Sequence, residues 1–242
     1  MRKGVIVLGG VGQTARHLSR IQKELYASLT LPDGRPLPVV ARDHSLLELV
    51  NVRFKHPAVK DRFRRDLDAF PDGAVVHMIS SASFFALNAL HAWQDERVAG
   101  VICDSIPYRR DPGIGETRLM LSAGVPAPLC STAGKVARAL LLSPLFDATE
   151  AYTTNYNGLQ RLPRTFHPRK ARVLMVHSKD DAVVPVAEFR DHCAALRASG
   201  AWVGHELEEF EGKGPHALMA REDSARFAAA VAAFLGKTGM LA

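Results

Sequence analysis

The chain has few cysteines, no long apolar run and no cluster of metal-ligating residues, and each shortage excludes a class of protein. Three cysteines, Cys103, Cys130 and Cys193, cannot all pair and show no metal spacing, so neither a disulfide scaffold nor a zinc site is expected. No metal and no cofactor is called for, and a reducing, cytoplasmic location is the expectation. No stretch approaches the ~20 consecutive apolar residues of a membrane span, which leaves peripheral association as the only membrane contact. Met1 to Gly4 followed by Val5 to Leu8 has the charge of a signal peptide, but its apolar run is too short. The net charge of +6 is modest. Its Arg and Lys residues, over Arg53 to Arg65, Arg109-Arg110 and Arg161 to Arg172, lack interleaved exposed aromatics, so solvated faces are expected and no nucleic acid partner. Repeats, low-complexity segments and linkers are also missing. The expectation is a single domain spanning residues 1–242.

What is present is a set of short apolar runs separated by helical patterns. With 47% hydrophobic residues the chain can build one sizeable core. Val5 to Leu8, Pro38 to Ala41, Ala74 to Ile79, Val98 to Cys103 and Val173 to Val176 read as buried strands. Trp202 to Phe210 is a more mixed run that suits a sheet edge. Between them lie helical stripes: Leu18, Ile21 and Leu25; then Val59, Phe63, Leu67 and Phe70 after Pro57; then Phe189, Cys193 and Leu196; then Phe227, Val231 and Phe234. Alternating strands and helices predict an α/β fold, a mostly parallel sheet covered by helices on both faces. Residues 108–170 show no strand pattern and predict a small helical lid insertion.

Several strands end in residues with chemistry. Val173 to Val176 leads to Asp180-Asp181, and the next strand leads to the loop Phe210 to His216. Ala74 to Ile79 delivers Ser80-Ser81-Ala82-Ser83 at its tip, and an apolar helix follows (Phe84, Phe85, Leu87, Leu90, Trp93). A serine at a strand tip, then an acid, then a histidine is the chain order of a nucleophile elbow with its triad partners. A serine hydroxyl is a weak nucleophile until an imidazole takes its proton, and a carboxylate holds that imidazole in the right tautomer. Ser80, Asp181 and His216 are therefore the candidate catalytic residues. The amide of Ser81, with that of Gly10 or Val11, is the candidate oxyanion hole. Each has a plainer reading. Asp181 could cap the following helix, with Asp180 a rival for the acid role. Ser80 shares its cluster with Ser81 and Ser83, where helix capping is common, and His216 is one of ten histidines.

A different chemistry competes at the first turn. Gly10, Gly12 and Ala15 satisfy the dinucleotide fingerprint after a strand and before a helix. The acid that this fingerprint requires at the end of the second strand would be Asp43, at a longer spacing than the pattern wants.

Four segments resemble the α/β-hydrolase-like family that includes transmembrane protein 53. Gly9 to Gly12 with His17-Leu18 resembles its Gly-Trp-x-Gly turn, Gly10 standing for the tryptophan. His77 to Ser83 resembles its His-x-Phe-Ser-Asn-Gly-Gly elbow, and Gly100 to Ser105 its Gly-Ile-Ile-Phe-Asp-Ser strand. Ser178 to Pro185 and Phe210 to His216 resemble its acid and histidine motifs. The resemblance covers nearly the whole chain. It implies an α/β-hydrolase fold with Ser80, Asp181 and His216 as the triad, and it places Asp181 ahead of Asp180. The sequence departs from the family at Ala82 and Ser83, where the elbow carries glycines, and Met78 stands where many hydrolases have glycine. The expected function is a serine hydrolase acting on a small-molecule ester or related acyl substrate. The alternatives are a non-catalytic binding or scaffold protein of the same fold and, third, an NAD(P)-dependent oxidoreductase. No oligomeric state is assigned.

Overall fold

Strand-forming runs with apolar residues at every position must be covered on both faces, and this requirement sets the architecture. In the computed structural model, residues 2–10, 15–43, 57–83, 86–87, 89–90, 95–106, 126–130, 132, 172–198, 207–217 and 219–241 are described. Six strands are found among them: β1 (Lys3–Leu8), β2 (Val39–Arg42), β3 (Gly73–Ile79), β4 (Val98–Asp104), β5 (Arg172–Ser178) and β6 (Leu207–Gly212). They form one sheet in the order β2-β1-β3-β4-β5-β6, and every pairing is parallel.

Alternation along the strands divides the core in two. Ile6, Leu8, Val76, Met78, Val101, Cys103, Val173 and Met175 point to one face, where Phe63, Leu67, Phe189, Cys193 and Leu196 cover them. Val5, Val7, Val75, Ile79, Ile102, Leu174 and Val176 point to the other, under Leu18, Ile21, Leu25, Phe227, Val231 and Phe234. The covering residues lie on helices α1 (Ala15–Ile21), α2 (Pro57–Asp68), α3 (Val186–Ala198) and α5 (Ser224–Lys237), the short α4 (Met219–Glu222) preceding the last. Of the stripes read from the sequence, Leu18, Ile21 and Leu25, then Phe63, Leu67 and Phe70, then Phe189, Cys193 and Leu196, and then Phe227, Val231 and Phe234 are buried. Burial of each large apolar side chain contributes roughly 1.5–3 kcal/mol.

Two features were not legible in the pattern. Helix α1 does not run on to Leu25 as one α-helix; it passes into a π-helical turn, Gln22–Tyr26. The wider turn brings residues five apart onto one face, so Tyr26 falls in line with Ile21 and is buried with it. Strand β6 extends through Glu211 to Gly212, so the histidine loop begins later than Phe210. Of the expected lid at 108–170, only residues 126–130 and 132 are described, and the rest of that expectation lies outside the described residues.

Position in the sheet follows from pairing. β1 lies between β2 and β3, and β6 is at an edge, as its mixed composition requires. Leu8 pairs with Met78, Ile79 with Asp104, and Asp104 with Val176. The strands therefore end at one level, and the residues just past their tips, Gly9-Gly10, Ser80, Ser105 and Lys179 to Asp181, share one edge of the sheet. At the point where the order reverses, between β1 and β3, parallel sheets open a crevice.

Candidate active site

Ser80 leaves β3 with φ +50°, a left-handed conformation that side chains rarely adopt. It begins a single 3-10 turn, Ser80–Ala82, and Ser83, Ala86, Leu87, Ala89 and Leu90 after it are helical. The Ser83 hydroxyl donates to the carbonyl of Ser80 at 2.9 Å. This is the geometry of a strand–elbow–helix turn, reached without glycine on either side. Met78 is fully buried between Leu8 and Cys103 of the adjoining strands, where its side chain fills core volume. Ala82 and Ser83 are fully buried under the turn, small enough for the close approach of helix and strand. The strain at Ser80 costs about 1–2 kcal/mol, and strain of this kind concentrates at functional positions.

The three candidates from distant parts of the chain meet. Ser80 Oγ lies 2.9 Å from His216 Nε2, and His216 Nδ1 lies 2.8 Å from Asp181 Oδ2. With the Nδ1 proton donated to the carboxylate, Nε2 is left as the acceptor for the serine hydroxyl. The Asp181 side chain is fully buried and that of His216 is 14% exposed, so one end of the line is sealed and the other is open.

Asp181 is fixed by its own loop. Its Oδ1 accepts the amides of Val183 at 2.8 Å and Val184 at 2.9 Å, which leaves Oδ2 for the histidine. One oxygen thus holds a turn ahead of α3 rather than capping the helix, and the other faces the imidazole. Behind it, His177 donates from Nε2 to the carbonyl of Val184 at 2.8 Å and stacks on Phe189 at 4.9 Å. Burial lowers the pKa of His177, against the opposing pull of Asp181. Asp180, the rival acid, instead accepts the amide of Gly214 at 3.1 Å. The Ser178 hydroxyl donates to the carbonyl of that same glycine.

Of the candidate oxyanion donors, Gly10 is buried just beyond the end of β1, and Ser81 is the second residue of the elbow turn. Val11 lies outside the described residues, as does Gly12 of the dinucleotide fingerprint. Asp43 follows directly on β2, but β2 is an edge strand here, whereas the dinucleotide order 3-2-1-4-5-6 encloses it. Among the described residues there is no group of three or more His, Cys, Asp or Glu that could hold a metal ion. No described helix is long and apolar enough to cross a membrane.

Sequence reasoning gave no role to three further residues at this edge, although all lie within the segments it singled out. His77 and Asp104 are buried, with His77 Nε2 3.6 Å from Asp104 Oδ2. The hydroxyl of Ser105 donates to Asp104 Oδ1 at 2.9 Å. Polar residues inside apolar strands were the available signal.

No protein-family model matches the chain, and no curated protein matches its sequence. Solved structures do. A protein of Burkholderia cenocepacia assigned as an aryl esterase is 15% identical with a TM-score of 0.60, over 98% of this chain and 90% of that one. An esterase of Pyrococcus furiosus is 17% identical with a TM-score of 0.56, over 98% and 82%. A structure from a study of two metagenome-derived lipolytic enzymes is 16% identical with a TM-score of 0.55, over 98% and 94%. At such identities the likeness is one of architecture, and it agrees with the all-parallel sheet, the elbow after β3 and the strand order: the chain has the α/β-hydrolase fold.

Proposed function

We propose that the protein is a serine hydrolase acting on a small ester or related acyl substrate. The observation that carries this reading is the continuous hydrogen-bonded line from Ser80 through His216 to Asp181, with Ser80 on a strained elbow. Its fold neighbours are esterases and lipolytic enzymes, which supports acyl chemistry and leaves the acyl group open.

The reaction follows from the geometry. Ser80 Oγ attacks the acyl carbon while its proton passes to His216 Nε2 over 2.9 Å. The imidazolium that forms is stabilised by the buried Asp181 carboxylate, which keeps its charge. Oxyanion charge on the former carbonyl falls to backbone amides, Ser81 with Gly10 or Val11 in the proposed hole. His216 then protonates the departing alkoxide, leaving Ser80 acylated. A water molecule deprotonated by the same Nε2 attacks the acyl carbon, releases the acid, and the proton returns to Ser80.

We infer further that the chain is a transmembrane protein 53-like member of this fold, on the strength of its four motif segments. It would act as a single intracellular domain, with the 108–170 segment as its lid. The test is turnover of short-chain p-nitrophenyl esters by the wild type and Ser80→Ala. Saturable hydrolysis lost in the variant is expected. A folded wild type without hydrolysis would favour the binding-protein alternative.

A further inference from the structure

The peptide that follows His216 is held from the far side of the sheet edge by residues the triad does not use. Ala217 has φ +55° and no glycine's freedom, a conformation that side chains rarely adopt. Something must hold it there. Its amide donates to Ser105 Oγ at 3.2 Å. We propose that Ser105 is a positioning residue that clamps the backbone of Ala217, and through it fixes His216 on the Ser80–Asp181 line, with Asp104 orienting the Ser105 hydroxyl. The activity side of the proposal rests on the hydrolase reading above.

The hydroxyl of Ser105 has one proton, and Asp104 Oδ1 takes it at 2.9 Å. That bond turns the lone pairs of Oγ toward the Ala217 amide. A serine without this carboxylate could rotate its hydroxyl to another acceptor and lose the grip. Ser105 is itself in a left-handed conformation, φ +51°, and its amide donates to the Val176 carbonyl at 2.9 Å. The β4 tip is thus tied to β5 while its side chain reaches the histidine loop.

Two further polar residues lie behind Asp104. The Tyr26 hydroxyl lies 2.7 Å from His77 Nδ1. Burial, with the Asp104 charge adding to it, raises the Tyr26 pKa well above its usual value, so the phenol keeps its proton. The other ring nitrogen of His77, Nε2, faces Asp104 Oδ2 at 3.6 Å, beyond hydrogen-bond reach. The π-helical turn that buries Tyr26 thus places it against His77, and the hydrogen-bonded line to Ala217 begins at Asp104 and runs through Ser105. Asp104 and Ser105 are almost fully buried. A buried carboxylate is costly to desolvate, and an apolar pair would close the β4 tip at lower free energy. What the polar pair adds is direction at one peptide.

His216 then sits between two pinned neighbours. Gly214 is held by Asp180 and Ser178 from the acid loop, and Ala217 by the clamp. Placement at both sides matters because a misplacement of about 1 Å can cost on the order of 10²-fold in rate.

The test compares wild type, Ser105→Ala and Ser105→Gly. Glycine takes the φ of position 105 without strain but lacks the hydroxyl, so the pair separates strain from the hydrogen bond. Two quantities are read: the inactivation constants for a fluorophosphonate, kinact and KI, and the downfield proton resonance of His216 Nδ1. In both variants kinact should fall by roughly ten- to a hundredfold with KI within about twofold, and the resonance should broaden or shift. Unchanged kinact and an unchanged resonance in Ser105→Gly would overturn the clamp. So would failure of both Ser105 variants to fold, which would make Ser105 a determinant of the β4 tip. A wild type that the probe never labels would instead remove the hydrolase reading. The clamp would then stand or fall on whether the resonance changes in the variants.

Discussion

The carboxylate of Asp180 accepts the amide of Gly214 at 3.1 Å, two residues before His216, while Asp181 beside it takes the imidazole proton at 2.8 Å. Adjacent acids in one loop thus hold the same histidine in different ways, one through the loop backbone and one through the ring. Asp181→Asn should lower fluorophosphonate reactivity by about 10²- to 10⁴-fold, because an amide at this site disturbs the tautomer. Asp180→Asn keeps an acceptor for Gly214 and should cost less than about tenfold. Equal losses in the two variants, measured as kinact/KI, would contradict this division.

The strain at Ser80 predicts an order of stabilities. Ser80→Gly removes the hydroxyl and relieves φ +50°, whereas Ser80→Ala removes the hydroxyl and keeps the strain. Urea denaturation should find the glycine variant more stable than the alanine variant by about 1 kcal/mol. An alanine variant at least as stable would argue against a strained elbow.

Much of this architecture was legible in residues such as Val5 to Leu8, Ala74 to Ile79 and Val173 to Val176. Parallel strands buried on both faces are written as continuous apolar runs, and the helices between them as single stripes. Ser80, Asp181 and His216 were legible because strand tips bring distant parts of the chain to one edge. The division between Asp180 and Asp181 was not, since it depends on which side chain faces Gly214 across 34 residues. Neither was the place of Met78 where many hydrolases have glycine, which depends on Leu8 and Cys103 in the neighbouring strands. The π-helical turn at Gln22–Tyr26 was hidden because Leu18, Ile21 and Leu25 also fit an ordinary helix. His192 was overlooked because a histidine inside an amphipathic pattern reads as surface.

Burial of that histidine on α3 has a consequence for stability against pH. His192 is 4% exposed, and desolvation lowers its pKa from 6.5 to about 4. Burial also lowers the pKa values of His177 and His17. Below pH 6.5 the unfolded chain binds protons that the folded chain refuses. The stability contributed by these neutral histidines is therefore complete above pH 6.5 and is lost as the pH falls toward 4. For His192 alone the loss approaches about 3 kcal/mol. Denaturation curves at pH 7.5, 6 and 5 should show the decline, and His192→Gln should flatten it. A variant with the wild-type slope would refute the assignment to His192.

The turn after β1 separates acyl chemistry from nucleotide binding. If the Gly9-Gly10 turn faces an oxyanion, NAD and NADP should give neither a thermal shift nor saturable binding by calorimetry. A dissociation constant in the micromolar range would reverse the assignment.

The central claim is that Ser80 is a nucleophile activated by His216, and covalent labelling tests it most directly. Intact-mass measurement after treatment with a fluorophosphonate should show one adduct on the wild-type protein, and peptide mapping should place it on Ser80. The adduct should be absent from Ser80→Ala and nearly absent from His216→Ala, because nucleophile and base act as a unit. Both variants should remain folded, since neither side chain fills the core. A folded wild-type protein that takes no label, or that is labelled at Ser81 or Ser83 with Ser80 unmodified, would contradict the account.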